Sequence, residues 1–334
     1  MKSSRIVFTG PEQVEVVEEQ LSDPGPGEVT VQTLASLVST GTELICYRGS
    51  WDSDTHWSGF GAYPLYPGYC TVARVIAAGD GTTGLHEGDR ICVTIPHRDF
   101  ANISAVQIWS RSLPDAVTDE EAAWAVLGVI TQTGVRHCEH VMGDTALIIG
   151  LGPLGQLVAQ YLRALGLQQI LVVDPIQTRL DFALSHGATA AFCGSAADAR
   201  DFVLEHTEDR LVDVVYDVTG HYAVLPMALP LARDFGKVIL LGDSPHPSRQ
   251  NLTDDILNRQ LKLIGTRSST LPPQYEYWTP IRQAQLFLDY LQRGQMHVAD
   301  LITHRLDPRD AVEAYRTLYA DRRETLGVLF DWRQ

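Results

Sequence analysis

The residues most ready to do chemistry are Gly150-Leu151-Gly152-Pro153-Leu154-Gly155, set between the apolar run Ala146-Leu147-Ile148-Ile149 and the helical stretch Gln156-Leu157-Val158-Ala159-Gln160-Tyr161-Leu162. At a strand-to-helix turn each glycine has a mechanical task. Gly150 permits the tight turn, Gly152 lets backbone approach a pyrophosphate, and Gly155 lets helix and sheet pack closely. The N-terminus of the helix that opens near Gln156 faces the anion, with Leu151, Pro153 and Leu154 in the turn before it. Asp174 lies 19 residues beyond Gly155, at the end of the run Ile170-Leu171-Val172-Val173. A carboxylate there hydrogen-bonds an adenosine ribose and repels a 2′-phosphate, so NAD is expected rather than NADP. The plainer reading is that Asp174, before Pro175, caps a turn. Arg179 keeps NADP as the alternative, because a basic side chain one turn onward could accept a 2′-phosphate. Thr219 and Gly242 follow later apolar runs and are expected at the same sheet edge, although Gly242 reads equally as a turn glycine.

The elements that must position this motif are legible in the hydrophobic pattern. Up to about residue 117 short runs alternate with period two between Pro-Gly and Gly-Asp breaks, as in Glu28-Val29-Thr30-Val31-Gln32-Thr33, which predicts an all-β region. Thr118-Asp119-Glu120-Glu121 then places an N-cap residue and acidic residues ahead of an apolar helix start. Six apolar runs, at 146–149, 170–173, 190–192, 213–216, 237–241 and 261–264, alternate with helix-length segments and predict a parallel sheet covered on both faces. Helices are expected around 280–292 and 308–319, and Leu326-Gly327-Val328-Leu329-Phe330 as a strand returning to the first domain.

The 334 residues suffice for two domains, each with its own core. Lys and Arg number 26 against 41 Asp and Glu, and a net charge of −15 argues against a nucleic-acid backbone or an anionic membrane as partner. No apolar run reaches membrane-span length, and the start Met1-Lys2-Ser3-Ser4-Arg5-Ile6-Val7-Phe8 is too briefly apolar for a signal peptide, so a cytoplasmic protein is expected. The five cysteines lack any CxxC pair, which argues against a disulfide framework and a zinc ribbon. Cys92, Cys138 and Cys193 are expected as buried free thiols.

The order of a β-rich first part, a glycine fingerprint and a returning strand resembles the medium-chain dehydrogenase/reductase superfamily over nearly the whole chain. Three further stretches carry the resemblance: Thr40-Gly41-Thr42-Glu43, Tyr66-Pro67-Gly68-Tyr69-Cys70 followed by Val75 and Gly79, and Gly88-Asp89-Arg90-Ile91-Cys92-Val93. It implies an α/β protein with a GroES-like β-rich catalytic domain over 1–117 and 271–334. A Rossmann domain, with a doubly wound parallel six-stranded sheet, would occupy 118–270. Zinc members of the superfamily carry Cys-Gly-Thr-Asp and Gly-His-Glu. Here Thr40 stands at the cysteine, Tyr69 at the histidine and Cys70 at the glutamate, and the later ligand region reads Val126-Leu127-Gly128-Val129. The four-cysteine lobe expected after Val93 is replaced by Thr94-Ile95-Pro96-His97-Arg98-Asp99. Hydroxyls are poor zinc ligands, so no metal is expected. A ligand set assembled by folding from Glu43, His56, Cys70 and His97 is the alternative. The wording is similar to the zinc-less branch that includes bacteriochlorophyllide a dehydrogenase, with related sugar- and cyclitol-oxidising members.

The resemblance implies an NAD-dependent oxidoreductase acting on a small secondary alcohol or ketone borne by a ring, as in a polyol, sugar, cyclitol or hydroxyethyl group. Thr40 and Tyr69 fill the vacated ligand positions, Thr42 the proton-relay hydroxyl, and His97 exchanges a proton near neutral pH. Each has a duller reading: Tyr69 as a locally satisfied strand aromatic, Thr42 as a helix cap, Thr40 as a silent filled pocket, His97 as a loop histidine. Glu43 either orients a substrate hydroxyl or pairs with an arginine such as Arg48. His56 and Trp57 read as a substrate lid or as an apolar surface cluster. The alternatives are an NADPH-dependent enoyl or quinone reductase and a non-catalytic NAD-binding protein. A homodimer paired through Leu261-Lys262-Leu263-Ile264 is expected by analogy, and an interior strand fits the same residues.

Overall fold

The computed structural model describes residues 1–333. In chain order its strands begin with β1 (Lys2–Gly10), β2 (Gln13–Gln20), β3 (Val29–Leu37), β4 (Cys70–Ala78), β5 (Arg90–Val93), β6 (Phe100–Ile103) and β7 (Ile108–Ser110). Then come β8 (Thr145–Ile149), β9 (Gln169–Asp174), β10 (Ala190–Cys193), β11 (Val212–Asp217), β12 (Ala232–Leu240) and β13 (Lys262–Gly265). The last two are β14 (Ile302–Leu306) and β15 (Gly327–Asp331). The chain forms two compact units, Met1–Leu127 with Thr279–Gln334, and Gly128–Trp278.

In the first unit β1 and β2 form a hairpin, and a larger sheet runs β14-β15-β3-β4-β5-β7 with β6 also on β3. The final apolar run of the chain therefore becomes β15, antiparallel to β3 with Leu329 opposite Leu37 and Phe330 opposite Ser36. One apolar cluster is built on aromatics: Phe8 meets Tyr315 edge-on at 4.8 Å and Tyr47 at 5.8 Å, and Phe330 closes against Tyr315. Each such pair adds about 0.5–1.5 kcal/mol beyond simple area burial.

The divisions fall farther along the chain than 117/118 and 270/271. Thr118 does form a capping box with Glu121, but the helix it starts is only Asp119–Ala122, and a longer one follows at Ala125–His137. Two contacts tie this segment to the first unit. Arg90 pairs with Asp119 at 2.7 Å, and the buried Trp124 ring lies so close to Gly327 that a side chain there would meet it at 2.5 Å. At the other division Arg136 lies over the Trp278 ring at 3.7 Å, holding residues up to Trp278 with the second unit.

The second unit is a six-stranded parallel sheet in the order β10-β9-β8-β11-β12-β13. Its central strands are buried on both faces because their residues are Val, Ile, Leu and Ala almost throughout, as in Ala146-Leu147-Ile148-Ile149 of β8. The helix Pro153–Leu165 covers it, with proline in its first turn and Gly166 ending it in the left-handed conformation. Two expectations need correction. Cys193 is exposed, unlike Cys46, Cys70, Cys92 and Cys138, because it ends the sheet's outermost strand. Leu261-Lys262-Leu263-Ile264 is not interior: β13 is the opposite edge, and Lys262 and Leu263 are exposed.

Candidate active site

In the second unit the strand order reverses between β8 and β11, and crevices of this kind open beyond the carboxyl ends of such strands. Gly150 leaves β8 at φ +92°, and a side chain there would strike Thr219 Cγ2 at 2.7 Å. Gly155 packs against the turn so closely that a Cβ would lie 2.1 Å from the Gly150 carbonyl oxygen. Gly152 differs, since a Cβ there would meet nothing within 4 Å. It is also the N-cap of the Pro153–Leu165 helix, and no side chain caps that helix start. Gly152 thus faces open space beside uncapped helix N–H groups, which suits an approaching pyrophosphate.

Asp174 is buried, and its carboxylate accepts the Leu151 N–H at 2.7 Å and the Ile176 N–H at 2.9 Å. It therefore locks the glycine turn, while each oxygen keeps a lone pair for a further donor. Arg179 is half-buried close enough to feel that charge, and burial lowers its pKa while Asp174 raises it. At the end of β11 Asp217 accepts both the N–H of Thr219 at 3.0 Å and its hydroxyl at 2.7 Å. Burial raises the Asp217 carboxyl to about 6 despite these bonds. Gly242 serves loop packing: a Cβ would lie 2.3 Å from the Gly220 nitrogen, so the turns after β11 and β12 touch through their backbones. The open depression of about 450 Å³ lined by Arg200, Arg210, Arg233 and Arg259 lies at the other, amino end of the strands. Three of these arginines donate to the carbonyls of Pro230, Ala232 and Asp234.

In the first unit the helix Thr40–Arg48 opens on a cluster of hydroxyls. Tyr69, just before β4, donates to Ser39 Oγ and lies 3.2 Å from Thr42 Oγ1. Desolvation, the largest influence, raises the Tyr69 phenol pKa above its ordinary value, so at neutral pH it is a hydrogen-bond donor and not a phenolate base. Thr42 lies inside the helix, and the capping position is Ser39. Thr40 is 3% exposed, and its Oγ1 accepts a hydrogen bond from Arg322 Nη2 at 3.2 Å.

Below the hydroxyls lies a buried polar network. Glu43, 2% exposed, accepts the Ser39 N–H at 2.8 Å, the Tyr315 hydroxyl, and His97 Nε2 at 3.1 Å. His97 is fully buried, with Nδ1 2.7 Å from Ser36 Oγ, which in turn accepts the Trp332 indole N–H at 2.9 Å. His97 is thus a core histidine rather than a loop one, and both ring nitrogens are engaged within the fold. Glu43 does not pair with Arg48, which is exposed and lies 5.6 Å from the Tyr319 ring. His56 is exposed and rests on Trp57 at 4.8 Å, whereas Trp57 is part of the apolar core. Thr40, Thr42 and Tyr69 are brought into one region, while His97 and Glu43 lie beneath it.

At the positions where zinc relatives are expected to carry ligands this chain has Thr40, Tyr69 and Cys70. Among the described residues no group of three His, Cys, Asp or Glu side chains converges as a metal site. Glu43 and His97 are bonded to each other, and the Cys70 thiol is buried with its pKa raised by desolvation.

Residues 153–282 match the family described as zinc-binding dehydrogenase. The starvation-sensing protein RspB of Escherichia coli K12 is 24% identical over 366 residues, covering 100% of both chains. The 2-desacetyl-2-hydroxyethyl bacteriochlorophyllide A dehydrogenase of Cereibacter sphaeroides is 26% identical over 350 residues, covering 100% of this chain and 99% of its own. The chain belongs to the medium-chain dehydrogenase/reductase superfamily. It is a dehydrogenase/reductase of the alcohol dehydrogenase type. Among solved structures, a short chain alcohol dehydrogenase, RspB of Escherichia coli CFT073, complexed with NADH, superposes with TM-score 0.80 at 20% identity over 99% of each chain.

Within this superfamily member, sequence reasoning passed over Ser39, Tyr315 and Arg322. Ser39 adjoins the Thr40-Gly41-Thr42-Glu43 stretch and was open to discovery as its helix cap. Tyr315 and Arg322 lie more than 270 residues from their partners Glu43 and Thr40, and no local pattern marks them.

Proposed function

We propose that the protein is a zinc-independent, NAD-dependent oxidoreductase that exchanges a hydride between nicotinamide and a secondary alcohol or ketone. The substrate class is a ring-bearing polyol, sugar, cyclitol or hydroxyethyl compound. The observation that carries this reading is the hydrogen-bonded cluster of Tyr69, at the position where zinc relatives place a ligand histidine, with Thr42, at their relay hydroxyl, and the adjacent Ser39. The second unit serves as the dinucleotide-binding domain, with Gly150–Gly155 at the pyrophosphate, Asp174 and Arg179 at the adenosine end, and Thr219 and Gly242 at the same strand edge. The first unit serves as the GroES-like catalytic domain.

NAD supplies the hydride acceptor when bound. In the oxidative direction the substrate C–H bond breaks with its electron pair, the carbonyl forms, and the hydroxyl proton leaves. Tyr69, held protonated, turns its single O–H from Ser39 Oγ to the substrate oxygen as negative charge develops there. Thr42 is half-buried, so the proton passes along the Ser39 and Thr42 hydroxyls toward water. Glu43 is a positioning residue: by holding the Ser39 N–H it fixes the helix start on which those hydroxyls sit. The Asp174 side chain, at the end of β9, favours ribose hydroxyls over a 2′-phosphate.

No helix of the described residues is long and apolar enough to cross a membrane. We place the enzyme in the cytoplasm as a homodimer paired through β13, whose exposed edge is free for a second copy. The test is a NAD and NADP reduction screen over galactitol, myo-inositol, methyl glucoside, 2,3-butanediol and 1-phenylethanol, repeated with Tyr69→Phe. NAD should outperform NADP, and Tyr69→Phe should lose about 10²-fold in kcat with unchanged NAD affinity. Full turnover by Tyr69→Phe would remove the hydroxyl mechanism.

A further inference from the structure

A hydroxyl cluster alone leaves the developing alkoxide without a positive charge. Burial holds Tyr69 as a neutral phenol, and the one acidic side chain in the first turn of the Thr40–Arg48 helix, Glu43, is turned inward to Ser39, His97 and Tyr315. A cation does stand at the first residue of this helix. Arg322, from the segment between the helix Ala311–Ala320 and β15, donates from Nη2 to Thr40 Oγ1 at 3.2 Å. Thr40 is the first residue of its helix, where the backbone dipole presents positive potential, so a guanidinium lodged there gains nothing from the helix. Cations are ordinarily found at the other end, as Arg48 is in the last turn. Guanidinium and helix start together concentrate positive potential at Thr40, the residue that follows Ser39 and opens the helix carrying Thr42, which suits an oxygen acquiring negative charge. Arginine also keeps its charge at every working pH and presents several N–H donors in a fixed plane.

We infer that Arg322, fixed by Thr40, is the catalytic cation that stabilises the alkoxide at the Ser39, Thr42 and Tyr69 hydroxyls, a task that metal performs in zinc-dependent dehydrogenases. The inference rests on the proposed alcohol oxidation. No covalent step is involved: the guanidinium donates hydrogen bonds to the substrate oxygen while the proton leaves along the hydroxyls and the hydride leaves from carbon.

The experiment compares wild type, Arg322→Gln, Arg322→Lys and Thr40→Val, using the alcohol of the panel above that wild type oxidises fastest. Thermal melting, NAD affinity by calorimetry, kcat, KM and the pH profile of kcat are read together. Arg322→Gln should melt like wild type, bind NAD within twofold, and lose about 10²–10³-fold in kcat, the cost of removing one charge-stabilising donor. Its kcat should also rise only at higher pH, because the alcohol is harder to deprotonate without the cation. Arg322→Lys should recover at least tenfold of the loss, and Thr40→Val should fall between wild type and Arg322→Gln. An unchanged kcat and pH profile overturns the inference. So does a loss confined to NAD affinity, which would make Arg322 a cofactor ligand, or failure of both Arg322 variants to fold, which would make it structural. If wild type oxidises no alcohol of the panel, the alcohol-oxidation reading fails first and this inference falls with it.

Discussion

Replacing Glu43 by Gln keeps the side chain's shape, removes its charge, and gives it an N–H2 group where the fold supplies only donors. Glu43, itself 2% exposed, accepts from the Ser39 N–H at 2.8 Å, from Tyr315 and from His97 Nε2 at 3.1 Å. A glutamine amide has one acceptor oxygen, so at least one of these buried donors faces another donor. Leaving a buried donor unsatisfied costs about 1–3 kcal/mol. With about 2–4 °C per kcal/mol for a unit of this size, Glu43→Gln should lower the melting temperature by about 2–12 °C. The assay is thermal unfolding followed by near-ultraviolet circular dichroism, which also reports on Tyr315. His97→Gln should be less damaging in the Glu43→Gln background than in wild type, since the two act on one contact. A Glu43→Gln melting temperature within 2 °C of wild type, or strictly additive losses, would refute the view that this network fixes the hydroxyl-bearing helix.

Four further outcomes follow from the geometry. Asp217 has its carboxyl raised to about 6 from 3.8, so the folded state binds its proton more tightly than the unfolded chain, and this group's contribution to stability is present below about pH 4 and lost as pH rises to 6. Asp217→Asn should flatten that fall, which amounts to about 3 kcal/mol, in urea titrations between pH 4 and 7. Gly152→Ala should fold normally and lose at least tenfold in NAD affinity by calorimetry. Gly155→Ala, whose Cβ would meet backbone at 2.1 Å, should lose about 3 kcal/mol of stability in the same titrations. Of the five thiols, Cys193 alone should react quickly with a thiol reagent in the native protein, as mass spectrometry of labelled peptides would show. Cys46, Cys92 and Cys138 are buried, with thiols pushed up to about 12 by desolvation.

The second unit was legible because its signals are local: each buried strand is a short apolar run, and the glycine turn carries its geometry in six consecutive residues. The return of β15 was legible for the same reason. What escaped the sequence depends on long-range pairing. His97 sits after Pro96 in a stretch that reads as a loop, yet Ser36, Glu43 and Trp332 converge on it or its partner from three separate segments. Trp57 carries no periodic signal that separates a lid from a core position, and the fold buries it. Cys193 follows apolar residues and looks buried until the strand order puts it on the sheet's edge. The division near residue 127 escaped because a helix start is visible in sequence, whereas the Trp124 contact with Gly327 that assigns it to the first unit is not.

The account turns on hydride exchange without a metal. The most direct measurement is NADH formation by protein treated with a tight chelator and shown by elemental analysis to hold less than about one zinc per hundred chains, using the best alcohol of the panel. We predict undiminished turnover and no gain on adding zinc. Turnover that disappears on chelation and returns with one zinc per chain would contradict it.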